Sequence, residues 1–463
     1  MLPVRFSTTD EDGKDVFDAH IVLWISVHPN TTKETSCRDA NTEILAILAK
    51  HGIQDAAVHW IEGAAEPLDG PLEIMCVVQD MNPTYYELAD NDVQGSLGLY
   101  FYEGKDRQGN ESTQLMALTN KHVVSKHTDQ DYEFSGRPGA QYIRNCGRHR
   151  LEKVVDETRA LVAKKLRDTE LFAEQLAETM TKPKPDDADE DMDNLERKRQ
   201  DLNRVEKDVA TLSDFFQLLN STWSPTLQRV IGWLDWAPKI ANDLDSRCYT
   251  RDLGVIALNE SKFTKNYKGN VVYLAGKYTR EEIVSFFYPN VASPPVFNYP
   301  TDHLFRLSGT VDAAGLANLH FWDDQGNPCF IVAKSGQSSD LTFGRFSELE
   351  AYVCDKFKNQ SFELAVLNYG KNHGNFSEKG DSGSAVFNAE GKVVAILHSG
   401  MPRGMSNHIT FGTPARYVVE CIKERYPHTD FERLKFWSLD VYFFCLCLSH
   451  RCLFSSTPCI LWL

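Results

Sequence analysis

FSEKGDSGSAVFNAEGKVVAILHSG (376–400) sets Ser382 in a glycine-flanked loop directly ahead of an apolar, strand-like run. Gly380 lets that loop turn so that backbone N–H groups point inward. A nucleophilic serine needs such donors, because attack on a carbonyl builds negative charge on an oxygen that positioned N–H groups stabilise. The N–H groups of Gly380 and Ser382 are therefore the candidate oxyanion hole. Gly, Asp and Ser also favour ordinary hairpin turns, so the loop alone does not decide between a site and a turn.

Two further segments bear on the choice. LMALTNKHVVSKH (115–127) is a strand-like run that delivers His122 at its end, and RDLGVIALN (251–259) opens an apolar run with Asp252. A lone His at a strand end is usually a surface or core residue, and a lone Asp before a strand is usually a turn residue. Together they stand in the chain order His, Asp, Ser. Subtilisin-type triads run Asp, His, Ser and α/β-hydrolases run Ser, Asp, His, so the order itself discriminates.

On Thr119-Asn120-Lys121-His122-Val123, Asp252-Leu253-Gly254-Val255 and Gly380-Asp381-Ser382-Gly383-Ser384, the chain resembles the trypsin/chymotrypsin-like superfamily of serine peptidases. RVIGWLDWAPKI (229–240), VAKSGQSSDLTFGR (332–345) and NYGKNHGNFSEKGDSGSAV (368–386) make it similar, within that superfamily, to a group of uncharacterised fungal trypsin-like proteins. The resemblance spans about 94–149 and 223–425. It implies an all-β core in a two-barrel chymotrypsin-like fold, the first barrel giving His122 and Asp252 and the second Ser382. It also implies a serine endopeptidase acting on peptide or protein substrates through an acyl-enzyme. Ser382 would be the nucleophile, His122 the general base and Asp252 the residue that orients it. Asp381 would hold the loop. Phe376 would floor the primary pocket, with Ser399 and Gly400 as its wall, and a floor without an acid argues for an apolar side chain over Arg or Lys. Secreted members pair the residue matching Asp381 with a newly cut N-terminus. Here a long N-terminal unit stands in that place, which keeps open an alternative: a latent or non-catalytic trypsin-like scaffold.

The rest of the chain falls into distinct textures. Residues 1–90 read as a small α/β unit, with strands in 19–29 and 55–63 around a helix at 35–52. Short β-type runs with Gly/Asn/Asp turns fill 91–149 and 223–425, the expected peptidase domain. Between them, 150–222 reads as an inserted α-helical hairpin. Leu151, Val154, Val155, Leu161, Val162 and Leu166 mark its first helix, and KPKPDDADEDMD (182–193) its acidic turn. Leu195, Leu202, Val209 and Phe216, with Val205, Leu212 and Leu219, mark a coiled-coil-like seam in the second. The hairpin is the candidate surface for a protein partner. Residues 426–463 form a tail, read as unstructured or misassigned; Cys445, Cys447, His450 and Cys452 in it are spaced too tightly for the usual structural zinc sites.

Composition narrows the function class. With 49 Lys+Arg against 65 Asp+Glu, the net charge of -16 disfavours nucleic acid as a partner. The apolar stretches of the tail are interrupted by His450 and Arg451, so no membrane helix is expected. An acid-bearing N-terminus gives no signal peptide, and 11 scattered or crowded cysteines suit a reducing compartment, so a cytoplasmic protein is expected. No phosphate loop, metal cluster or cofactor motif is present, and neither a metal nor a cofactor is expected.

Overall fold

The computed structural model describes residues 1–4, 7–9, 15–17, 20–67, 70–71, 75–79, 93–136, 140–145, 148–181, 188–263, 267–289, 297–317, 321–322, 328–354, 359–370, 373–401 and 408–433. They fall into two compact units. One holds Met1–Ile143 and the chain from Ile231 onward, and the other holds Arg144–Val230.

In the larger unit the chain opens with β1 (Leu2–Val4), β2 (Val22–Val27), α1 (Glu34–Lys50) and β3 (Ala57–Glu62). Strand β2 lies between the others, antiparallel to β1 and parallel to β3, so β2-α1-β3 is a crossover unit. Its buried face does not close on itself. Leu2, Val4, Val22 and Trp24 share one apolar cluster with Ala351, Ala365, Met401, Ile409 and Phe411 from the far end of the chain.

The first β sheet comprises β4 (Met75–Gln79), β5 (Leu99–Lys105), β6 (Glu111–Thr119), β7 (Tyr132–Glu133), β8 (Gln141–Asn145), β9 (Val230–Ala237) and β10 (Gly254–Leu258). Its order is β5-β6-β10-β9-β8-β4, with β7 on β9. The second comprises β11 (Ile331–Gly336), β12 (Asp340–Phe346), β13 (Ala351–Cys354), β14 (Gln360–Asn368), β15 (Ala385–Asn388), β16 (Val393–Gly400) and β17 (Ile409–Pro414). Here the order is β12-β11-β15-β16-β17-β14, and β12 pairs again with β14 from Gly344↔Asn368 to Phe346↔Val366. That last pairing closes a six-stranded barrel, which leaves no open edge among its six members. Strand residues alternate between two environments. Val332, Val366, Val386 and Leu397 fill the barrel interior cluster, while Ile331, Ala333, Phe387 and Ile396 join Leu99, Met116, Leu118 and Val255 of the first sheet in one larger core. Two antiparallel sheets, one of them closed into the six-stranded barrel, share that core. The helix α5 (Ala415–Arg425) follows β17 and buries Tyr417, Val418 and Ile422 in the same core.

The smaller unit is a helical hairpin of α3 (Arg148–Thr181) and α4 (Ala188–Leu218). Lys165 pairs with Asp208 at 2.7 Å, Lys198 donates to Thr179 at 2.7 Å, and Arg159 lies over Phe216 at 5.7 Å. Higher numbers on one helix meet lower numbers on the other, so the helices are antiparallel. Leu151, Val154, Val155, Leu219 and Trp223 close the open end of the hairpin. Two readings of the helices change. Leu161 and Leu166 are 41% and 47% exposed, because the inward row of α3 runs instead through the buried Leu151 and Thr158 and the half-buried Val162. Helix α4 begins at Ala188, inside the stretch 182–193 read as an acidic turn. Residues 182–187 and the Cys-rich tail lie outside the described residues. Among the described residues, no helix is long and apolar enough to cross a membrane.

Candidate active site

Register brings the first two residues together. Strand β6 pairs antiparallel with β10, Thr119 opposite Gly254, so the chain leaving β6 meets the chain entering β10. A helical turn, α2 (Lys121–Val124), follows β6 and carries His122. Asp252 Oδ1 accepts the N–H groups of Lys121 at 2.7 Å and His122 at 3.2 Å, and Asn120 Nδ2 donates to the Asp252 carbonyl at 2.9 Å. Asp252 is thereby fixed by backbone donors on the very turn that carries its partner. Its Oδ2 is hydrogen bonded to His122 Nδ1. Burial drives the Asp252 carboxyl upward, but the His122 ring, its hydrogen bond and the nearby His398 hold it below the ordinary carboxylate value.

The serine loop is held from the opposite side. Asp381 and Lys334 are both 0% exposed, and Lys334 Nζ lies 2.7 Å from Asp381 Oδ2. Asp381 also accepts Ser339 Oγ at 2.6 Å and the N–H groups of Ser338 and Glu378, each at 2.9 Å. Burial drives this carboxyl upward and Lys334 outweighs it, leaving it below its ordinary value. Gly336 is required beside it, since a Cβ there would meet Asp381 Oδ1 at 2.3 Å. Lys334, a cation carried on β11, thus holds Asp381 and with it the serine loop.

Held this way, the loop puts Ser382 Oγ 2.8 Å from His122 Nε2. His122, Asp252 and Ser382 form one continuous hydrogen-bonded chain. Within the loop, the N–H groups of Asp381, Gly383 and Ser384 bond to the Glu378, Leu397 and Asp381 carbonyls. Gly380, at φ 100°, and Ser382 are the remaining donors of the five-residue turn.

The expected pocket residues divide. Phe376 is fully buried and belongs to the barrel interior cluster with Val366, Val386 and Leu397, and its N–H donates to Asn368 Oδ1. The next residue, Ser377, carries the polar contacts: its Oγ lies 2.6 Å from Thr410 Oγ1 and 3.2 Å from His408 Nε2. Ser399 and Gly400 end β16, just past His398, whose carbonyl is 3.3 Å from Ser382 Oγ. His398 itself is buried, with Nε2 at 2.9 Å from Glu363 Oε2, and Thr250 donates to Glu363 Oε1. Burial lowers the His398 pKa, but Glu363 raises it further, and the net shift is upward. Lys334, His398 and Glu363 were not singled out as working residues from sequence. The readable signal for Lys334 is a lone cation within the apolar run FIVAKSG. Among the described residues, no group of three or more His, Cys, Asp or Glu is arranged to hold a metal ion.

No family model matches the chain. Exfoliative toxin A of Staphylococcus aureus is 35% identical over 99 residues, covering 20% of this chain and 35% of the toxin. The chain thus spans about a third of that curated relative's length. Among solved structures, Thermobifida fusca Protease A is similar over 71% of this chain and 88% of its own, at 10% identity and a TM-score of 0.31. Cellulomonas bogoriensis chymotrypsin is similar over 41% and 72%, at 13% identity and a TM-score of 0.22.

Two outcomes follow from the buried pairs. Lys334→Met strands the Asp381 carboxylate in the core and is expected to cost about 3–5 kcal/mol, read by chemical denaturation. In a pH series, Asp252 and Asp381 have depressed native pKa values, so their stabilisation is complete above about 4 and is lost as pH falls through those values. His398 has a raised one, so its stabilisation is complete below about 6.5 and is lost as pH rises through the native value. His398→Gln should flatten the alkaline limb and, because His398 also helps hold the Asp252 carboxyl down, shrink the acid limb in part.

Proposed function

We propose that the protein is a serine endopeptidase. The observation that carries this reading is the Ser382–His122–Asp252 relay, with Ser382 Oγ at 2.8 Å from the imidazole and the far ring nitrogen on a buried carboxylate. In the reaction, Ser382 Oγ attacks the scissile carbonyl as His122 Nε2 takes its proton. Asp252 holds the ring with Nδ1 protonated and stabilises the imidazolium. The Gly380 and Ser382 N–H groups receive the oxyanion. Collapse expels the amine, protonated by His122, and water then repeats the cycle on the acyl-enzyme. Substrates are peptides or proteins, since a strand end at Ser399–Gly400 beside the nucleophile suits an extended backbone. The nearer likeness to fungal trypsin-like proteins rests on the segments 229–240, 332–345 and 368–386. Thiols outside any disulfide at Cys37, Cys248 and Cys421 favour work in a reducing compartment.

A latent form of the same enzyme has its own observation in its favour: Glu66–Pro67 pairs with Ser399–Gly400 at the mouth of the site. A partner for the hairpin has a weaker one, the exposed Leu161, Leu166 and Leu171 on α3.

A fluorophosphonate probe tests the peptidase reading on purified protein. It should label Ser382 and nothing else, and His122→Ala should slow labelling by at least about a hundredfold. A label on a different serine, or an unchanged rate without His122, would contradict the assignment.

A further inference from the structure

Two short stretches of the chain's own N-terminal region pair as backbone strands with segments that adjoin Ser382. Glu66–Pro67 pairs antiparallel with the end of β16, Glu66 opposite Gly400 and Pro67 opposite Ser399. Gly70–Pro71 pairs antiparallel with Val93–Gln94, Gly70 opposite Gln94 and Pro71 opposite Val93. Both partner strands are tied directly to the nucleophile. His398, adjacent to Ser399, places its carbonyl 3.3 Å from Ser382 Oγ. Ser96, two residues past Gln94, donates its N–H to the Ser382 carbonyl at 2.7 Å. In sequence only Leu68 and Asp69 separate the two paired stretches.

An extended peptide docks on a protein by adding a strand to a sheet edge, its main chain supplying affinity and alternate side chains specificity. The two pairings have that form, each on a segment next to a residue in contact with Ser382. Ser382, which a substrate must reach, is 0% exposed. One side-chain contact gives the docking a chemical preference. Lys379, next to Gly380 in the serine loop, places Nζ 3.7 Å from Glu66 Oε2. Both groups are about half exposed, so the pair tunes the docking while the backbone pairing supplies its bulk.

We propose that Glu66–Pro67 and Gly70–Pro71 act as an internal pseudosubstrate, and that the cleft accepts extended peptides bearing an acidic side chain opposite Gly400, read by Lys379. The inference rests on the serine-peptidase reading. Foreign peptides and the chain's own segment compete for one edge, so activity depends on displacing the segment. Its sequence is a first statement of what the cleft prefers.

The test uses the full chain in four forms: unaltered, Glu66→Lys, Lys379→Glu and the charge-swapped double variant. Both positions are solvent-facing, so each form should fold. Fluorophosphonate labelling of Ser382 is timed by mass spectrometry, and hydrogen exchange is followed at residues 398–401. Either single variant should label at least about threefold faster than the unaltered chain, because a like-charge pair replaces an attraction. The double variant should return to the unaltered rate, and exchange at 398–401 should rise and fall in parallel. A synthetic peptide spanning residues 62–74 should slow labelling of Glu66→Lys more than the same peptide with Lys in place of its Glu66 slows it. Equal labelling of Ser382 and equal exchange in all four forms would overturn the pseudosubstrate and leave the peptidase reading standing. No labelling of any form would overturn the peptidase reading, and this inference with it.

Discussion

The buried ion pair between Lys334 and Asp381 is the constraint on which the rest of the site depends. A loop of small, turn-forming residues has no reason of its own to hold Ser382 in one place. Asp381 supplies it by accepting from Lys334, Ser339 and the backbone at Ser338 and Glu378, all within the core. Two charges removed from water need such saturation, since an unpaired partner would be strongly destabilising. The arrangement converts a costly burial into a single loop geometry, and its cation comes from β11, a strand of the closed barrel. Order at the nucleophile is therefore a property of the folded barrel itself.

Across the shared core, the first sheet meets that loop with an equally determined partner. The β6–β10 register sets Asp252 under the α2 turn, and the same turn's N–H groups hold the carboxylate before His122 does. Each half of the triad is rigid through its own sheet, and Ser96 ties the halves together through the Ser382 carbonyl. Beneath them, the His398–Glu363 pair places a second ionisable couple next to Asp252. Glu66–Pro67 and Gly70–Pro71 then add backbone to two segments that adjoin the serine.

Much of this was legible because the three candidate site residues sit in local turn chemistry. The segments 119–123, 252–258 and 380–384 each couple a reactive side chain to a strand boundary, and the structure brings His122, Asp252 and Ser382 together. The seam of α4 was readable for the same local reason, since Val205 and Leu219 recur at heptad spacing and are buried. What escaped was nonlocal. Nothing near Lys334 names an aspartate far along the chain as its partner, and nothing in Glu66–Pro67 announces pairing with Ser399–Gly400, because main-chain pairing carries no side-chain signature. Phe376 shows the limit of position counting: a residue assigned to a pocket floor packs in the barrel interior, while its neighbour Ser377 carries the polar contacts. Leu161 and Leu166 show the limit of periodicity, which finds a helix more surely than the face it buries.

The central claim is that Ser382 forms a covalent acyl intermediate with help from His122. The most direct measurement is to mix the protein with an activated ester, quench in acid within the first turnovers, and locate the acyl group by peptide mass spectrometry. One acyl group per chain is expected on Ser382, formed in a burst that Ser382→Ala abolishes. Ester turnover with no acylated serine, or acylation at a site that persists in Ser382→Ala, would contradict it.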